Sequence, residues 1–205
     1  KSLQIKDKSN REINNMLSRL ADMQNKNGSF GWWRNNGCND RMTIYAMEIS
    51  YMALRDGYIN NIFDASKNYI TQHFTSLNTS DQLYALHVLL SAGVSDATAL
   101  KAFRKMTTDN LNTTDRIYFY QNKLKLKDTV SRQDLYSILL DINQKVQRPY
   151  YDNFFYDARA DLFKAYALFS QTAYGQEFTR LFKKKLINGQ LEKNLNTFSK
   201  ARMIE

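Results

Sequence analysis

Two patterns of apolar residues alternate along the chain. In the first, apolar side chains recur at i, i+3, i+4 and i+7, a spacing that gathers them into one stripe along a helix. Ile13, Met16, Leu17 and Leu20 follow it, as do Leu135, Ile138, Leu139 and Ile142. Phe178, Leu181, Phe182 and Leu186 repeat it with lysines on the opposite side. In the second pattern almost every position is apolar: MTIYAMEISYMAL from Met42, DQLYALHVLL from Asp81, ADLFKAYALF from Ala160. A helix without a wet face must be enclosed by others. The chain therefore predicts amphipathic outer helices alternating with enclosed inner ones.

The inner helices are expected to start near Arg41, Ser80, Thr114, Asp157 and Thr197, a period of roughly 40 residues. Three starts share a signature: Asn39-Asp40, Asn78-Thr79 and Asn112-Thr113 precede Tyr45, Tyr84 and Tyr118 by the same offset. Asn, Asp and Thr side chains suit N-caps, because they accept hydrogen bonds from unpaired first-turn N–H groups. The tyrosine then falls in the second turn, where a buried ring is expected. Helices of an open solenoid usually keep some wet surface, whereas these inner helices have almost none. The predicted fold is accordingly all-α: an α/α toroid, an incomplete ring of about five inner and outer helix pairs, in a single domain over 1–205. The last inner helix stops at Glu205, so a fragment of a larger multidomain protein is expected.

Composition narrows the picture further. One proline and seven glycines are too few for a turn-rich β protein, and 43% hydrophobic residues exclude a disordered tail. Charges interrupt every apolar run short of the roughly 20 residues that span a bilayer, so no membrane insertion by this segment is expected. The opening KSLQIKDKSNREI lacks the apolar core of a signal peptide, and reads as part of a mature or excised chain. The net charge of +9 is scattered, and its one tight run, Lys183 to Lys185, lies on an amphipathic helix. No recognition-helix or single-strand-binding signature accompanies it, so no nucleic-acid partner is expected.

Candidate chemistry is sparse. Cys38 is the only cysteine and has no assignable base beside it, as nucleophilic catalysis requires; it reads as a spectator thiol. Cys38, Asp40, His73 and His87 are zinc-ligand types, but they lack the close pairs of structural zinc sites, so no metal and no cofactor is expected. Glu48 lies in an almost wholly apolar helix. It is either a buried carboxylate bonded to a cap or a tyrosine, or one member of a catalytic pair with Asp157 or Asp161. The aromatic run PYYDNFFYD could form a sugar platform or plug a helical ring. Glu48, Tyr150, Tyr151 and Phe155 are the pocket candidates. No Asp-x-Asp-Asp cluster of a cyclase occurs.

The stretch QNKNGSFGWWRNNGCND, residues 24–40, joins the first outer helix to the first inner one. Gln24 near a helix end can bond the last carbonyls, Gly28 can supply a positive-φ stop, and an aromatic can cover the end; the loop reads as a helix stop and rim plug. The spacing of Gln24, Gly28 and Phe30 resembles the Gln-x-x-x-Gly-x-aromatic element of α/α-toroid proteins such as triterpene cyclases. The longer string through DRMTIYAMEISYMALRDGY resembles the thioester domain of the α2-macroglobulin family, above all its bacterial members. The residues that carry the resemblance are Gln24, Gly28, Phe30, Gly31, Trp33, Asp40, Thr43 and Tyr45, continued by Ala46, Ala53, Gly57 and Tyr58; Ser29 stands where the family has a second glycine. LYALHVLLSAGV and NLNTFSKARMIE are similar to later inner-helix segments of the family. The family's Cys-x-Glu-Gln thioester motif is absent, since Cys38 is followed by Asn39-Asp40-Arg41, and no catalytic histidine can be carried over to His73 or His87. The resemblance implies a helical scaffold segment of a protease-trapping protein, non-catalytic by itself. Its partners would be target proteases, through the parent protein, and adjacent β-sandwich domains, in the periplasm or cell envelope. Two other functions fit the same pattern: a toroidal enzyme acting on a polysaccharide or isoprenoid, and a helical-repeat adaptor that binds a protein.

Overall fold

The computed structural model describes residues 2–34, 37–147, 158–178 and 180. Every regular element among them is helical, as the periodicity predicts. The helices are α1 (Ser2–Met23), α2 (Asp40–Arg55), α3 (Ile62–His73), α4 (Thr79–Ser91) and α5 (Ala97–Phe103), followed by α6 (Thr113–Lys125), α7 (Arg132–Gln147) and α8 (Ala158–Ser170), with a 3-10 turn at Phe74–Ser76. The chain divides into two compact units, Lys1–Met106 and Thr107–Glu205, a division that the even helical period does not mark.

The helices read as inner and outer alternate along the chain, but α2 is not enclosed on every side, since Ile49 is 39% exposed. In the first unit the inner helix α2 packs against α3 and against the next inner helix α4, which in turn packs on α5; in the second, α6 packs against both α7 and α8. The inner helices α2, α4, α6 and α8 each start one residue from the expected position. The start expected near Thr197 lies outside the described residues, as do Leu181, Phe182, Leu186 and the Lys183–Lys185 run.

The starts owe their positions to asparagine. The side chains of Asn39, Asn78 and Asn112 accept hydrogen bonds from the backbone N–H groups of Met42, Asp81 and Asp115 at 2.9, 2.9 and 3.0 Å, which satisfies a first-turn donor in each helix. Asn78 and Asn112 also donate through Nδ2 to the Asp81 and Asp115 carboxylates, each at 2.7 Å. The stops repeat as well. Tyr58 and Gly57 N–H groups bond back to Ala53 and Leu54, Val94 and Gly93 to Leu89 and Leu90, and Asp128 and Lys127 to Lys123 and Leu124. This crossed pair of bonds is the Schellman motif, which requires a left-handed residue. Gly57 (φ 91°) and Gly93 (φ 73°) provide it in α2 and α4, and Lys127 (φ 64°) provides it in α6.

Two details differ from the sequence reading. Tyr84 and Tyr118 are buried, but Tyr45 is only half-buried; the contact across α2 and α4 is made instead by Tyr84, which reaches Glu48 on α2. In α1, Met16 is 67% exposed and does not belong to the apolar stripe. Leu17 is buried with Ile13, Leu20 and Ala21 beside it, against Phe30, Ala46 and Ile62. In the second unit Leu135, Ile138 and Ile142 are buried as predicted and share a core with Leu168, Phe169 and Phe178. Phe169 and Phe178 stack at 4.1 Å between ring centroids.

Candidate functional site

The residues shared with the Gln-Gly-Phe element converge on the outer helix α3. α1 ends at Met23, and the chain then turns tightly, with Gly28 N–H donating to Asn25 O at 2.9 Å. Gly28 has φ 89°, and an added Cβ would stand 2.2 Å from the carbonyl oxygen of Ala65 on α3. Glycine is needed here both for the backbone angle and for close approach of two main chains. Gln24 lies beside it. Its amide Nε2 faces Gly28 O at 3.1 Å, Ile62 O at 3.2 Å and Ser66 Oγ at 3.0 Å. The glutamine therefore ties the loop to α3 by donating to the Ile62 carbonyl, which has a second lone pair, and to the Ser66 hydroxyl. This corrects the expectation that Gln24 and Gly28 finish their own helix: the pair clamps a neighbouring one.

Phe30 completes the clamp from the core side. It is 3% exposed, and its N–H donates to Thr43 Oγ1 at 2.9 Å. The Thr43 hydroxyl in turn donates to Asn39 O at 2.8 Å, which fixes the loop to the start of α2. Gly31 is buried alongside. The tryptophans behave differently. Trp32 is 54% and Trp33 73% exposed, so of the loop's three aromatic rings only Phe30 is buried, against Leu17, Ala46 and Ile62.

Cys38 and Asp40 also point to α3. Asp40 accepts from Tyr69 Oη at 3.2 Å. Cys38 is exposed, with Sγ 2.9 Å from Ser29 Oγ and 3.5 Å from Asn27 Nδ2. Donation from Ser29, then from Asn27, holds the thiol below the ordinary cysteine range. Burial, and the Asp40 carboxylate after it, push the Tyr69 phenol well above its usual value. His73 stacks on the Tyr69 ring at 4.4 Å and donates through Nδ1 to Tyr69 O at 2.8 Å. The structure thus gathers three of the four residues considered for zinc, Cys38, Asp40 and His73, around one tyrosine, and leaves His87 half-buried on α4. No three His, Cys, Asp or Glu side chains among the described residues stand close enough to share a metal ion.

A second polar cluster links α2 and α4. Tyr84 donates to the buried Glu48 carboxylate, the tyrosine-bonded arrangement anticipated for an acid in an apolar helix. Arg41 Nε pairs with buried Asp81 at 2.6 Å, and its guanidinium lies 5.4 Å from the Tyr84 ring centre. Asp161, the other described carboxylate of the possible catalytic set, belongs to the second unit and accepts from Thr114 Oγ1 at 2.9 Å. Asp157, Tyr150, Tyr151 and Phe155 lie outside the described residues.

Sequence reasoning located the loop but missed its counterparts on α3, chiefly Ser66 and Tyr69. The available signal was Ser66 itself: it is a small polar residue inside the stripe Ile62, Phe63, Tyr69 and Ile70, and it is fully buried. A buried hydroxyl requires a partner, and Gln24 supplies one. No family model, curated protein or solved structure matches the chain.

Proposed function

We propose that this chain is a helical scaffold, non-catalytic by itself, of an α2-macroglobulin-like protease trap in the periplasm or cell envelope, with its helix pairs arranged along an α/α toroid. The observation that carries the proposal is the clamp of Gln24, Gly28 and Phe30. These are residues of the loop that resembles the family's signature, and each is occupied in joining α1, α2 and α3. A loop spent on tying helices together is a framework feature, which fits a domain whose role is to hold others in place. Glu48 fits the same account, because its carboxylate is bonded to Tyr84 within the helical packing.

Thiol titration of the native protein before and after methylamine treatment tests the reading. Cys38 supplies one exposed thiol from the start. A further thiol released by methylamine supports a covalent trap whose thioester lies outside these residues. An unchanged count leaves two outcomes, trapping by steric enclosure without a thioester or a chain outside this family, and suppression of a protease's action on large substrates separates them.

A further inference from the structure

We propose that the face of α5 and the hollow beside it form a docking site for an extended acidic polypeptide. Thr98, Lys101, Ala102 and Lys105 follow one another at i, i+3, i+4 and i+7, so they share one face of α5 and of the turn that continues it. With Thr75 of the 3-10 turn and Gln82 of α4, they line a hollow of about 530 Å³. An adjoining hollow of about 390 Å³ shares Lys101 and Lys105 and adds Leu100 and Arg104. The three cations are exposed, and no carboxylate among the described residues pairs with Lys101, Arg104 or Lys105. Arg41 and Lys67 of the same unit, by comparison, are each held by an aspartate.

The shape selects among anions. Between the cations the hollow is lined by the small side chains of Ala97 and Ala102 and by the exposed threonines Thr75 and Thr98. Lys101 and Lys105 are one helical turn apart, about 6 Å along the axis. Carboxylates at alternate positions of an extended peptide stand about 7 Å apart on one face. A strand with acidic residues at alternate positions therefore presents its carboxylates to both ammonium groups from one face, and the small residues between them point away. Nucleic acid offers the same charge, but no aromatic residue lines the hollow to stack a base. The proposal does not depend on the protease-trap reading.

Fluorescence anisotropy with a labelled alternating Glu-Ala peptide, at low and rising salt, tests it. The expected result is salt-sensitive binding that weakens about tenfold or more in Lys101→Glu/Lys105→Glu. It should change far less in Lys26→Glu/Arg34→Glu, which removes the same net charge from the α1–α2 loop. Ala97→Trp, which puts a bulky ring into the hollow without altering charge, should also weaken binding. A single-stranded oligothymidine of equal charge should bind less well. Equal losses in the two charge-reversed variants, tighter binding of the oligothymidine, or no peptide binding at all would each overturn the proposal.

Discussion

Gly28 separates two costs that usually arrive together. A side chain there pays for a left-handed backbone and also for collision with Ala65, where the added Cβ would lie 2.2 Å from the carbonyl oxygen. Gly57 has nearly the same φ, 91°, with nothing within 4 Å of the added atom. Gly57→Ala should therefore lose only the backbone term, about 1–2 kcal/mol. Gly28→Ala should lose that and a steric term, about 3–5 kcal/mol together. Denaturant unfolding of the two variants checks this, and equal losses would mean that the close approach to α3 contributes nothing. Cys38 gives the second prediction at this scale. Its thiol is held down chiefly by the Ser29 hydroxyl, so its alkylation rate should reach half-maximum below pH of about 8.5. Ser29→Ala should shift that midpoint upward, and an unchanged midpoint would show that Ser29 does not act on the sulfur.

Helix ends show what a single sequence reveals and what it withholds. The asparagines that start α2, α4 and α6 are legible because a cap is a local device: the side chain bonds a backbone group three residues on. The outer and inner patterns are legible for a similar reason, since burial of Leu135 or Leu83 follows from the period alone. The stop of α6 is not legible, because lysine carries no signal for the left-handed conformation that Lys127 adopts. The ties from Gln24 and Asp40 to α3 are not legible either, since they depend on which helix lies beside the loop and at what height. The burial of Phe30 against exposed Trp32 and Trp33 belongs with them, because composition does not distinguish the rings. Lys127 also yields a prediction. Lys127→Gly removes the strain at φ 64° while keeping both bonds of the stop, and should stabilise the second unit by about 0.5–1 kcal/mol. Denaturant unfolding measures it; a destabilised variant would show that the lysine side chain, and not the backbone angle, matters at this position.

For the molecule as a whole, the scaffold account rests on repetition. Enclosed helices with the same asparagine start and the same crossed stop recur in both units, and the polar groups near them are largely engaged in holding helices together. Such a scaffold would act through the protein it supports, so the direct test is made on the native protein. A protease is incubated with it, and hydrolysis of a large protein substrate and of a small chromogenic peptide are followed in parallel. The account predicts that cleavage of the large substrate is suppressed while the small peptide is still hydrolysed, because an enclosed protease keeps its active site but loses access to bulky substrates. Unchanged cleavage of both substrates, or equal loss of both, would contradict it.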